Sequence, residues 1–176
     1  MLKNNLLKAL ILLTVLILSS CGKPNLINRS SSFQVKVWLD RHTPLKTGDI
    51  IHAQIRADRP CYLYVYYLSG SGAIRQIFPD NLQSGNRIQP GVVYQIPPPG
   101  AAYQFRLTPP PVREEIIAVA TLEPTNFSDP GDMDYSGVIP QLKLDQATFR
   151  SKLNAKLNTL LPTTWSSDTI YFTYGP

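Results

Sequence analysis

Histidine and cysteine are scarce in this chain, with two of each in 176 residues. A zinc centre takes three or four ligands from these residues and carboxylates at set spacings. His42, His52 and one strand cysteine do not supply that set, so neither a metal nor another cofactor is expected. The Gly-x-Ser-x-Gly turn that exposes a nucleophilic serine is also missing, because Ser69-Gly70-Ser71-Gly72 lacks that frame. A triad of Asp40, His42 and some serine has no positioned nucleophile, so no catalytic residue is expected and a hydrolase stands third among the readings. Charge is sparse as well: 16% of residues are charged and the formal net charge is +5. Lys36, Arg56, Arg75, Arg106 and Lys152 are scattered singly through apolar segments, whereas nucleic-acid binders cluster such residues on one face, so no nucleic-acid partner is expected. The most acidic stretch, Asp129-Pro130-Gly131-Asp132-Met133-Asp134, departs from the EF-hand in spacing and lacks its closing glutamate, so it reads as a solvated loop.

What is present begins at the first residue. Lys3 and Lys8 flank a short positive segment, and Ala9 to Leu18 is an apolar run. The run falls short of the roughly 20 residues a bilayer span needs, and small residues follow it in place of a basic flank. Residues 1–20 therefore read as a signal peptide. Leu18-Ser19-Ser20-Cys21 resembles the bacterial lipobox, which implies that Cys21 is lipidated and becomes the mature N-terminus. Each buried acyl CH₂ contributes about 0.8 kcal/mol, so several chains anchor stably where one does not. The membrane-lipid partner is thus reached through acylated Cys21. Gram-negative lipoproteins retained in the inner membrane carry an aspartate after that cysteine; here it is Gly22, which implies the outer membrane, facing the periplasm. Residues 21–32, polar and broken by proline and serine, read as a tether.

Residues 33–176 read as one β-sandwich domain. Phe33, Val35, Val37 and Leu39 alternate with Gln34, Lys36 and Asp40, the period of a half-buried strand. Ile51 to Ala57 repeats the pattern. Cys61 to Leu68 carries tyrosine and apolar residues on both faces, which fits either a central strand covered on each side or an aromatic functional surface. Cys61 reads as a buried core thiol, and Tyr62, Tyr64 and Tyr66 share one face as the candidate interaction surface. Further strands are expected at Ala73–Phe78, Val92–Ile96, Tyr103–Leu107, Glu115–Thr121 and Asp168–Tyr174, with Pro97-Pro98-Pro99 and Pro109-Pro110-Pro111 as exposed connections. One amphipathic helix follows Asp145 as N-cap, with Phe149, Leu153, Leu157, Leu160 and Leu161 on its apolar face. The fold class is mainly β: an antiparallel β-sandwich with one C-terminal amphipathic helix.

Between Val35 and Pro124 the order Leu39-Asp40-Arg41, Leu45-Lys46-Thr47-Gly48-Asp49, Tyr62-Leu63-Tyr64-Val65, Ile77-Phe78-Pro79-Asp80 and Ile96-Pro97 resembles the family called domain of unknown function 4384. That family occurs in exported bacterial proteins, often behind a lipoprotein signal. These motifs are strand and turn signals and carry over no active site. Many members place asparagine after the phenylalanine-proline pair, where this chain has Asp80 and then Asn81. The expectation is a non-enzymatic structural or interaction module with envelope protein partners, as in an envelope or secretion-system assembly. The alternative is a peptidoglycan- or glycan-binding lipoprotein.

Overall fold

The computed structural model describes residues 33–41, 44–110 and 112–176. The expected signal peptide, the tether, Cys21 and His42 lie outside the described residues.

The first half of the chain makes β1 (Val35–Leu39), β2 (Leu45–Lys46), β3 (Ile50–Ile51), β4 (Ala53–Ala57) and β5 (Cys61–Leu68). It continues through β6 (Ile74–Phe78), β7 (Arg87–Ile88), β8 (Tyr94–Ile96) and β9 (Phe105–Arg106). The second half adds β10 (Glu114–Thr121), β11 (Met133–Asp134), β12 (Gln141–Leu142), helix α1 (Gln146–Asn158), β13 (Trp165–Phe172) and β14 (Tyr174–Gly175). The chain is mainly β, as its alternating pattern predicts.

Three strands form a small sheet in the order β1-β4-β8, and a larger sheet runs β11-β12-β6-β5-β10-β13, with β7 also paired to β5. Two short pairs, β14-β2 and β3-β9, complete the ladders. The apolar residues of β1 and β4 point at the large sheet, so Val35, Val37, Ile55 and Ala57 bury against Leu63, Val65, Ala118 and Ala120. The far edge of β1 is closed by side chains: the N–H groups of Val35 and Val37 donate to Ser166 Oγ at 3.1 Å and Asp168 Oδ2 at 3.0 Å. An unpaired edge would invite another strand, and these two bonds occupy it.

The opposite face of the large sheet is covered by α1. Asp145 caps that helix, accepting from the N–H groups of Ala147 and Thr148 at 2.9 Å each. Phe149, Leu153 and Leu157 bury against Tyr66, Ile117, Val119 and Trp165. The helix stops at Asn158, so Leu160 and Leu161 lie past its end, and Leu161 is 69% exposed instead of joining the apolar face. The layers are therefore small sheet, large sheet and helix.

The remaining departures have local causes. The strand expected from Val92 starts at Tyr94, because the turn at Gly91 (φ +75°) leaves Val92 and Val93 exposed. The last long strand starts at Trp165, since Ser166 and Ser167 are buried and polar residues there hid the pattern. The acidic loop turns directly into β11: Lys152 meets Asp132 at 2.5 Å and Asp129 at 3.4 Å, while Asp134 accepts from the Ser136 N–H.

Candidate functional site

Strand alternation sends the side chains of β5 to opposite layers. Tyr62, Tyr64 and Tyr66 do share a face, as expected, but that face is the helix side. Tyr66 is fully buried, with its ring 4.9 Å from that of Phe149, so it is not part of an interaction surface. Tyr64 meets Phe127 edge-on at 4.9 Å, and its hydroxyl accepts from the Thr125 N–H. Tyr62 is half-buried. Tyr64 and Tyr66 are packing residues because the segment before β11 and α1 lie over them.

Tyr67 points the other way, into a cavity of about 460 Å³. The floor is the large sheet: Tyr67 from β5, Arg75 and Ile77 from β6, and Glu114 from the start of β10. A bulge between Val65 and Tyr66 shifts the β5–β6 register. The extra residue lets Ile77 and Phe78 both bury on this side while Arg75 stays beside Tyr67. The opposing wall is Tyr103, Phe105 and the Pro109-Pro110 segment, so that proline run forms a wall as well as a connection. Phe105 is held by the β3–β9 pair, with its ring near-parallel to Tyr67 at 6.3 Å and 5.7 Å from Tyr103.

Asp80 fixes that wall. Its Oδ1 accepts from the Leu82 and Gln83 N–H groups at 2.8 and 2.7 Å, and its Oδ2 accepts from the Tyr103 hydroxyl at 2.5 Å. Burial first, and Asp80 second, raise the Tyr103 phenol above its ordinary value, so the proton stays on the tyrosine. One carboxylate thus makes the turn and orients a ring 23 residues along the chain.

Glu114 is 2% exposed. Its Oε2 accepts from the Gly70 N–H at 3.2 Å, and its Oε1 lies 3.5 Å from the hydroxyls of Ser69 and Tyr174. The turn can approach this closely because Gly70 has no side chain; a Cβ there would meet the Arg113 carbonyl at 2.6 Å. Tyr174 donates chiefly to the Thr108 carbonyl at 2.7 Å, which ties β14 to the wall. Burial, and then Glu114, also raise the Tyr67 phenol, with Arg75 acting in the opposite direction.

Residues 44–124 match the family described as Domain of unknown function (DUF4384). The chain therefore carries a domain resembling DUF4384. No curated protein and no solved structure matches the chain. The DUF4384 stretch contributes Tyr67, Arg75, Tyr103, Phe105 and Glu114, and β14 closes the pocket from outside it with Tyr174. Asp80, within the matched stretch, holds both the turn and Tyr103.

The other chemical candidates are separate from this pocket. Asp40 pairs with His52, its Oδ2 2.7 Å from Nδ1, and no serine hydroxyl bonds that imidazole among the described residues. Cys61 is the buried thiol its strand position predicts, pushed up to about 11 by burial and then by Asp58. Among the described residues no helix is long and apolar enough to cross a membrane.

Sequence reasoning passed over the pocket, though two signals were available. Tyr66-Tyr67 is adjacent, so one of the pair had to face away from the stripe. Glu114-Glu115 opens a strand buried along its whole length, an unusual place for two carboxylates.

Proposed function

We propose that this chain is an exported lipoprotein, anchored through Cys21 in the outer membrane and facing the periplasm, that binds peptidoglycan or a related envelope glycan by contact rather than turnover. The observation that carries this reading is the cavity of about 460 Å³, with Tyr67, Tyr103 and Phe105 beside a polar floor. Ligand sites are concave and mostly apolar, with a few placed polar groups, and their volumes begin near 300 Å³. Aromatic faces suit the apolar faces of sugar rings, and the serine and tyrosine hydroxyls suit their edges. The signal and lipobox pattern support delivery to the envelope, where such polymers are found.

The full-length protein, purified in detergent, is expected to sediment with purified sacculi, and Phe105→Ala is expected to release it. Unchanged retention of Phe105→Ala, or no retention of the unaltered protein, overturns the reading. Tyr64→Ala would test packing instead, because that ring lies against Phe127.

The docking module first expected from the sequence has one specific observation in its favour. Asn81 bonds the carbonyls of Tyr135, Gly137 and Val138, which gathers the exposed side chains of Leu82, Tyr135 and Val138. Under that reading Leu82→Asp abolishes co-purification of a fixed envelope protein while leaving sacculus retention intact.

A further inference from the structure

A buried carboxylate is costly unless a cation or a full set of hydrogen bonds answers it. Glu114 has only neutral donors around it, namely the Gly70 N–H and hydroxyl groups, and no lysine, arginine or histidine forms an ion pair with it among the described residues. Arg75 lines the same cavity, and its guanidinium makes neither an ion pair nor a hydrogen bond among the described residues. Both charges act on the Tyr67 hydroxyl, from opposite directions, without closing into a salt bridge with each other. Arg106, also in the lining, donates to the Gly48 carbonyl at 2.9 Å. On either side of one tyrosine the pocket therefore holds a carboxylate met only by neutral donors and a half-buried guanidinium, and neither forms an ion pair among the described residues.

We propose that this pocket recognises a zwitterionic ligand group, a free amino acid or a peptide residue that carries both a free ammonium and a free carboxylate, placing its ammonium toward Glu114 and Tyr67 and its carboxylate on Arg75. The inference rests on the reading of the cavity as a binding site. A guanidinium presents a planar fork that takes a carboxylate in two parallel bonds. The Tyr67 hydroxyl, polarised by Glu114, offers its oxygen to an ammonium. A simple amine would leave Arg75 without an ionic partner, a simple acid would leave Glu114 without one, and a neutral sugar would pair with neither. Within an envelope polymer, the peptide branch has this chemistry and the glycan strand does not.

The test is calorimetric titration of the full-length protein in detergent with four probes. These are muropeptides released from sacculi, the same pool with amines acetylated, the same pool with carboxyls amidated, and the disaccharide without peptide. Each blocking reaction is expected to weaken binding about tenfold or more, the scale of a lost charged hydrogen bond. Arg75→Gln should bind native and amidated pools alike, and Glu114→Gln should bind native and acetylated pools alike. Should Glu114→Gln fail to fold, the Arg75→Gln comparison decides alone. Equal binding of the peptide-free disaccharide, or an amidation penalty that survives in Arg75→Gln, overturns the zwitterion and leaves the pocket reading standing. No binding of any probe overturns both.

Discussion

Glu114 and Glu115 are chain neighbours, both buried, and they face opposite sides of one strand. On the helix side Glu115 meets Arg150 of α1 in a two-pronged ion pair, Nη1 to Oε1 at 2.8 Å and Nη2 to Oε2, with both partners nearly shielded from water. On the pocket side Glu114 is given hydroxyls and a backbone N–H but no cation. On the helix side the aromatic residues pack into the core, Tyr66 on Phe149 and Tyr64 on Phe127, whereas on the pocket side Tyr67, Tyr103 and Phe105 pack on one another and also line the cavity. A face built only for stability answers its charges internally. We read the other face, where Glu114 and Arg75 form no ion pair among the described residues, as the binding face.

The comparison can be broken most forcefully at Arg150. Arg150→Ala strands a buried carboxylate, and urea unfolding should show a loss of about 3–5 kcal/mol. Sacculus retention by the protein that remains folded should be unchanged. A loss below about 1 kcal/mol would mean that Glu115 is no better answered than Glu114.

A smaller effect is expected under the helix. The Tyr66 hydroxyl is shielded and makes no well-formed hydrogen bond, and neither does that of Ser128. Burial raises the Tyr66 phenol well above its ordinary value, and the neighbouring Ser128 only partly offsets this. Tyr66→Phe removes an unanswered polar group at constant shape, so stability should rise by about 1 kcal/mol. A fall of that size would show the hydroxyl to be satisfied and the helix side to be less purely apolar than described.

An effect confined to alkaline pH concerns Cys61, which lies in the core between the two sheets. The folded thiol is pushed up to about 11 from an ordinary 9.0. The folded state therefore keeps a proton that the unfolded chain releases. This contribution to stability is complete below pH 9 and is lost as the pH climbs toward 11. Unfolding midpoints of the unaltered protein should fall more steeply across that window than those of Cys61→Ala. Parallel profiles would mean the thiol is not held in a dry site.

How much of this was legible depends on how local the signal is. Alternation placed β1 and β4, apolar and tyrosine-rich runs placed β5 and β10, and Asp145 with its apolar spacing placed α1, because each pattern is complete within one element. Three-residue and two-residue strands such as β8 and β9 were overdrawn, since too few residues alternate to define their ends. The tyrosine stripe was correctly assigned to one face, but which face a helix 80 residues later would cover is a tertiary fact. The pocket is harder still: Tyr67, Arg75, Phe105, Glu114 and Tyr174 come from five strands. Only the adjacent Tyr66-Tyr67 and the paired Glu114-Glu115 at the head of a buried strand marked it in the sequence.

On the proposed reading, ligand chemistry belongs to one face of the large sheet. Backbone amide resonances of the full-length protein, followed by NMR while muropeptides are added, test it most directly. Shifts should gather at Tyr67, Ser69, Arg75, Phe105 and Glu114, with Phe149, Leu153 and Leu157 of the helix unmoved. Shifts centred on the helix or on the Leu82, Tyr135 and Val138 patch, with the pocket silent, would contradict it.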